Sequence, residues 1–380
     1  MHRLLSPNEA KFWLLDWVAP MNSVVVVQRA GHAAIDQPQL FAVPVVHTDA
    51  QQRPRWGEAD RPGTLEHEDV NSDDSWLVAA QRLQDIRVGS AGHPPWHAVV
   101  QHHPDTTTLV LAVNHALTDW RTSLHVAHAF LNDKHSGPLA PPCEEMLPAS
   151  SFGAPDAGAL LDAWWSSRAA LRWQALGRGG LTAILPHQAP TRFSLHRLSQ
   201  TDTTRLQGRC EAEGVSLNGA LAIALRDTMQ IDAVAHSVDM DRFIRPAPPR
   251  GPGLAVAHVF TPLVPGPFWD AARDNRAALF EQIRIGAAGD VLLSLPRLLL
   301  GAEPTYQPAV MTITGAPTVG TRTADPDTIM QLVMSSARGG GGIVILSWQW
   351  DCLQLIAGTP SDQPKVPLQA VADQLLNACD

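Results

Sequence analysis

Between Leu109 and Leu131 the 380-residue chain admits one local structure. The run Leu109 to Val113 is continuously apolar, the stretch Asn114 to Arg121 is polar, and a helical period begins at about Thr122. Leu124, Ala127, Phe130 and Leu131 then recur on one helical face. A buried strand passing straight into an amphipathic helix belongs in a fold where helices cover a sheet. The residues at such a junction are rigidly held at the end of the sheet and can face a cleft.

The rest of the chain repeats this mixture. Ser6, Pro7 and Glu9 form a helix start, with a capping serine, a proline at the first position and a capping-box acid, and the helix is expected to reach about Val18. Met21 to Arg29 reads as a valine-rich strand. Residues 31–73 read as irregular, because Pro38, Pro44, Pro54 and Pro62 limit helices. A helix over 74–87, strands over 97–101 and 107–114, and a helix over 157–176 follow. Residues 179–189, with Gly179, Gly180 and Pro186, read as a linker between a first lobe, 1–178, and a second, 190–380.

In the second half, strands are expected at 191–198, 235–244, 310–314, 329–334, 343–350 and 353–357. Helices are expected after Thr201 and after Ser216 as caps, over 269–285, and over 367–378. The fold class expected is mixed α/β (α+β), with two lobes of similar size.

Composition narrows the function. With 28 basic and 37 acidic residues the net charge is -9, and no basic run is present. Nucleic acid and anionic membranes are therefore not expected partners. Cys143, Cys210, Cys352 and Cys379 are far apart and form no CxxC pair, so no metal site or disulfide framework is expected. Glu9, Lys11 and Asp16 interrupt the opening apolar stretch, and no run approaches the roughly 18 residues that span a bilayer. A cytoplasmic location is the expectation. Gly339 to Gly342 follow Arg338 but lack the setting and the lysine of a phosphate cradle, so no nucleotide site is expected and the segment reads as a hairpin or loop.

The chemistry-bearing stretch is Asn114-His115-Ala116-Leu117-Thr118-Asp119-Trp120, which contains HxxxD. With 16 histidines in the chain, about one such match arises by chance, and His32 with Asp36 makes a second. His32 lies in a Gly-Ala stretch, whereas His115 stands at the strand-to-helix junction. Read from position alone, His115 is more readily a hydrogen-bonded structural histidine than a catalytic one, and Asp119 an ordinary helix cap in competition with Thr122 and Ser123. Tryptophans 13, 17, 164, 165 and 173 fall at helical spacings and read as core or interface residues. Trp348 and Trp350 share a strand face that either lines a cavity or packs.

The segment Leu109 to Leu131 resembles the HHxxxDG region of nonribosomal peptide condensation domains and of the mycobacterial polyketide-associated acyltransferases, within the superfamily that includes chloramphenicol acetyltransferase. Four more stretches agree in order: Arg3 to Glu9; Thr191 to Met229 with Gly214 to Asn218; Val238 to Pro249 with Asp241, Arg242 and Phe243; and Ile343 to Gly358. The resemblance implies two chloramphenicol acetyltransferase-like lobes with a tunnel between them. It implies transfer of an acyl group from coenzyme A or a phosphopantetheinyl carrier protein to an alcohol or amine acceptor in bacterial natural-product biosynthesis. It implies no tightly bound cofactor. His115 matches the general base and Asp119 the structural aspartate, whose arginine partner is expected to be Arg242 or else Arg245. Asn114, Trp120 and Trp348 are candidate tunnel-lining residues.

Two positions depart from the pattern. Asn114 replaces the first histidine, and Trp120 replaces the glycine after the aspartate. Trp120 keeps a second reading open, a relative that binds a carrier protein or reshapes an intermediate without acyl transfer. A third is an unrelated α/β enzyme in which HxxxD is accidental.

Overall fold

The computed structural model describes residues 3–32, 35, 41–50, 53–166, 189–247, 251–299, 311–315, 327–335, 341–349 and 351–380. Helix α1 (Pro7–Asp16) begins with the expected capping box: Ser6 accepts the Glu9 N–H, and the Glu9 carboxylate accepts the Ser6 N–H at 2.8 Å. Strand β1 (Asn22–Ala30) follows. Three strands then occupy the stretch expected to be irregular: β2 (Val45–Thr48), β3 (Pro54–Gly57) and β4 (Thr64–Asp69). The prolines exclude helix there but not strand, since β2 and β3 form a small separate ladder and β4 is an edge strand.

Helix α2 (Ser75–Gln84), strands β5 (Trp96–His102) and β6 (Thr106–Asn114), and helix α3 (Trp120–Leu131) match the expected elements. Short α4 (Cys143–Met146) and α5 (Ala157–Trp165) close the first half. The end of the helix expected over 157–176, and all but the last residue of the expected linker, lie outside the described residues.

The second half opens with β7 (Thr191–Arg197), α6 (Gln200–Ala212) and α7 (Leu217–Met229). Ser199, not Thr201, caps α6: its extended backbone lets the side chain accept the Asp202 N–H. Ser216 caps α7 as expected. Strand β8 (Ala233–Asp239) stops short of 244, where a 3-10 turn takes over. Next come β9 (Val256–Pro262), α8 (Phe268–Arg284), α9 (Ala287–Leu292) and α10 (Ser294–Leu299). Strands β10 (Met311–Gly315), β11 (Thr328–Ser335), β12 (Gly342–Gln349) and β13 (Cys352–Pro360) precede the last helix, α11 (Leu368–Asn377).

Eleven strands form one mixed sheet, ordered β4-β5-β6-β1-β11-β12-β10-β8-β9, with β13 joining β12 to β7. The junction between the halves is the antiparallel pair of β1 with β11, in which Val25 faces Val333. One edge of β12 changes partner along its length. Met311 to Gly315 lie parallel to its start, and Met330 and Gln331 pair with its end.

Strand β1 shows why the sequence is so apolar. Val25 and Val27 enter a core built with α1 and α3, while Val24 and Val26 enter one built with α2. A strand covered on both faces needs no polar alternation. The first of these cores also takes Leu254, Leu295, Leu299 and Val333 from the second half. Packing of second-half side chains into a first-half core fixes the two halves against each other across the HxxxD junction. Among the described residues, no helix is long and apolar enough to cross a membrane.

Candidate active site

The junction after β6 is held from both sides. The Asn114 carbonyl accepts the Leu117 N–H at 3.0 Å, closing a turn, and the Asn114 side-chain oxygen accepts the Ala116 N–H at 2.9 Å. The Asn114 amide donates to the Val88 carbonyl at 3.2 Å. Asn114 is buried. It is therefore a structural tie and does not line a tunnel, a correction to the sequence expectation. Gly89 makes this fit possible: at φ +76 a Cβ there would lie 2.5 Å from the Asn114 Cβ.

His115 is partly exposed, and its N–H donates to the Met21 carbonyl at 2.8 Å. Its Nδ1 lies 2.8 Å from the Thr118 carbonyl. A carbonyl oxygen only accepts, so Nδ1 carries the hydrogen, and Nε2 of the neutral ring keeps a lone pair. Phe12 of α1 packs against the imidazole with ring centroids 4.3 Å apart. Burial holds the imidazole below its ordinary pKa. The Lys11 ammonium acts the same way, while the Thr118 carbonyl and the Asp119 carboxylate oppose it. His115 is thus neutral and able to take a proton at neutral pH.

Asp119 caps α3: one carboxylate oxygen accepts the Thr122 N–H at 2.9 Å, and the Thr122 hydroxyl accepts the Asp119 N–H at 2.9 Å. The other oxygen accepts the Ala255 N–H at 2.9 Å. Thr122 donates onward to the Gly253 carbonyl at 2.7 Å, and Thr118 bridges Gly253 in parallel fashion. The expected arginine partner is a correction. Arg242 is 75% exposed and reaches only Asp239, at 3.8 Å, and Arg245 donates to the Ile244 carbonyl. Backbone N–H groups do what a guanidinium was expected to do, because the 253–255 segment comes close enough for its own amide to reach the carboxylate. The neighbouring arginine pair is Arg121 with Asp241.

Trp120, the first residue of α3, is partly buried and packs against the first-half core. The ring neighbour of His115 is Phe12. Trp348, the other candidate tunnel residue, is partly buried. It shares its strand face with Val344 and Leu346 and packs on the core of α6, α7 and α11. Trp350 lies outside the described residues, as does Asp36 of the second HxxxD match, whose His32 is exposed. Trp164 ties the first half together by donating to the Leu5 carbonyl at 3.0 Å. A separate cleft of about 920 Å³ opens in the first half among Phe41, Glu58, Arg61, Trp96 and His135, and His115 does not line it.

Three titratable groups around Lys11 and His115 were not anticipated. Lys11 on α1 has its amine lowered to about 8 by burial, with Glu144 partly opposing. Glu144 on α4 is raised to about 7 by burial, although it accepts the Asn8 N–H at 2.9 Å. His258 on β9 is lowered to about 3 by burial, with Lys11 and His115 adding to the effect. No sequence signal marked Lys11, which is the one residue of α1 that is not buried. Nothing in the sequence announced β9, so His258 could not be placed. Among the described residues, no group of three or more His, Cys, Asp or Glu could hold a metal ion.

No family model matches the sequence, and no curated protein matches it. Solved structures do match the fold over the whole chain. Polyketide synthase associated protein 5 from Mycobacterium tuberculosis is 15% identical with a TM-score of 0.61, covering 100% of this chain and 98% of that one. The first condensation domain of the CDA synthetase is 16% identical with a TM-score of 0.64, covering 100% of this chain and 96% of that one. The epimerization domain from the third module of tyrocidine synthetase B is 15% identical with a TM-score of 0.56, covering 100% of this chain and 96% of that one. The mixed sheet with its flanking helices, spanning both halves, is the two-lobed fold of the condensation domains.

Proposed function

We propose that the protein is an acyltransferase that moves an acyl group from a coenzyme A or carrier-protein thioester to an alcohol or amine, in bacterial natural-product biosynthesis. The observation that carries this reading is the fixed tautomer of His115, with Nδ1–H committed to the Thr118 carbonyl and Nε2 free, on a condensation-domain fold.

In this reaction Nε2 takes the proton of the acceptor O–H or N–H as the acceptor lone pair attacks the thioester carbonyl carbon. The carbonyl oxygen becomes an oxyanion. Its collapse breaks the C–S bond, and the departing thiolate takes the proton from the imidazolium, which returns the neutral ring. General base catalysis of this kind contributes about a hundred- to ten-thousand-fold. Asp119 acts at a distance by fixing the loop that holds the Thr118 carbonyl. The thioester is a substrate, and no resident cofactor is needed.

The test is to incubate the protein with acyl thioesters of coenzyme A, and with an acylated carrier protein, in the presence of alcohol and amine acceptors, and to read acylated product by mass. Product that disappears in His115→Ala and keeps its yield in Arg242→Ala supports the reading. Product unchanged in His115→Ala removes the base. The cleft that lies away from His115 favours one second reading, a relative that holds a carrier-bound intermediate without transferring it. That reading expects binding of the acylated carrier protein with no turnover of any acceptor.

A further inference from the structure

Lys11 is a partly buried ammonium at the edge of the proposed catalytic site, and the charge of its acidic neighbour, Glu144, offsets its burial only in part. Among the described residues it makes no ion pair and no hydrogen bond, although α1 around it is buried. Its Nζ sits 4.9 Å from the centroid of the Phe12 ring, and the same ring packs 4.3 Å from the His115 imidazole, so the amine and the imidazole are within about 9 Å of each other. The groups facing it come from four elements: Phe12 beside it on α1, His115 after β6, Glu144 on α4 and His258 on β9. Both histidines are neutral at neutral pH, and burial raises Glu144 to about 7, so the positive charge of Lys11 is only partly offset. Holding an uncompensated charge in such a place is costly, and a ligand anion would remove that cost.

We infer that Lys11 is a specificity residue that binds a carboxylate carried by one of the two reactants, so that the substrate class is an acid-bearing acceptor or an acyl group with a free carboxylate. This rests on the reading of His115 as the acyl-transfer base. The phosphate of a coenzyme A or pantetheine arm is excluded as the anion, because the whole arm separates it from the thioester sulfur, whereas Lys11 and the base pack on the same Phe12 ring, within about 9 Å of each other. A hydroxy or amino acid of a few carbons spans the required distance, with its carboxylate on Lys11 and its nucleophile at Nε2.

The chain contains three lysines, Lys11, Lys134 and Lys365, so protein labelled with 13C at the lysine ε-carbon gives three signals. Lys11→Arg identifies the one that matters. Adding 4-hydroxybutanoate should shift the Lys11 signal saturably, and 4-hydroxybutanamide should not. A second arm compares S-succinyl with S-butanoyl N-acetylcysteamine, which reports a carboxylate on the acyl group instead. Lys11→Met should weaken binding of whichever acid shifts the signal by about ten- to a hundredfold, and Lys11→Arg should restore much of it. The shift should persist in His115→Ala, which separates this binding from turnover. A Lys11 signal unmoved by both acids overturns the inference. So does a Lys11→Met protein that loses acid and amide acceptors equally, since Lys11 would then serve a step common to every substrate.

Discussion

The Asp119 carboxylate accepts the backbone N–H of Ala255 at 2.9 Å, across 136 residues of chain. Its other oxygen caps α3 through Thr122. One aspartate therefore ties the start of a first-half helix to the second-half segment that leads into β9. The loop carrying His115 runs directly into this tie, and Thr118, whose carbonyl fixes the imidazole, is the residue just before Asp119.

Asp119→Ala removes a helix cap and leaves the buried Ala255 N–H without a partner, so unfolding stability should fall by about 2–4 kcal/mol. Asp119→Asn keeps one acceptor oxygen but turns an amide NH2 toward the other N–H donor, so its loss should be intermediate. Arg242→Ala, in contrast, should stay within about 0.5 kcal/mol of the wild type, as expected for an exposed side chain with a weak partner. Urea denaturation of the three variants checks this. An Arg242→Ala loss as large as that of Asp119→Ala would restore the arginine as the partner.

The strand, turn and helix around His115 were legible because local patterns specify them: an apolar run, a polar turn and a repeat at helical spacing. The Ser6–Glu9 capping box and the valine-rich strand β1 were legible for the same reason. What escaped depended on distant contacts. No local pattern shows that Ala255 will reach Asp119, so the arginine seemed the natural partner. Strand β4 escaped because an exposed edge strand holding Glu66, His67, Glu68 and Asp69 looks like a loop. Lys11 reads as an ordinary solvent-facing lysine until α1 is seen buried between the halves.

The pH profile should show the lowered His115 pKa. The base works only when neutral, so kcat/KM should fall on the acid side with a midpoint below the ordinary histidine value of about 6.5. Lys11→Met removes one of the influences that lower it, and the midpoint should move upward. An acid limb centred above 6.5, or one that Lys11→Met shifts downward, would contradict the arrangement.

Trp120→Gly tests whether the indole belongs to the chemistry or to the core. The side chain packs against the first-half core, and glycine is poor in a helix, so stability should fall by about 2–4 kcal/mol. Trp120→Phe should recover most of that loss and keep kcat/KM within about threefold, because ring packing survives. A Trp120→Phe protein of normal stability with kcat/KM reduced a hundredfold would place the indole among the groups that touch substrate.

Lys11 and Glu144 make opposite contributions to the dependence of stability on pH. The folded Lys11 amine is lowered to about 8 from 10.5, so between these values the unfolded chain binds the extra proton, and stability from this group rises with pH. Its cost is fully present below about pH 8. Glu144 is raised to about 7 from 4.5, so the folded chain binds the extra proton between those values, and stability falls as pH rises through that window. At pH 7 Lys11→Met should therefore raise Tm by a few degrees, with the gain fading above pH 10. Glu144→Gln can still accept the Asn8 N–H, and should raise Tm at pH 8 but not at pH 4. It also removes the one acid that favours charged Lys11, so the Lys11 NMR titration should move to a midpoint below 8. A Lys11 midpoint that stays put in Glu144→Gln would mean that the two groups do not sense each other, and Lys11 would then face the site without any acidic neighbour.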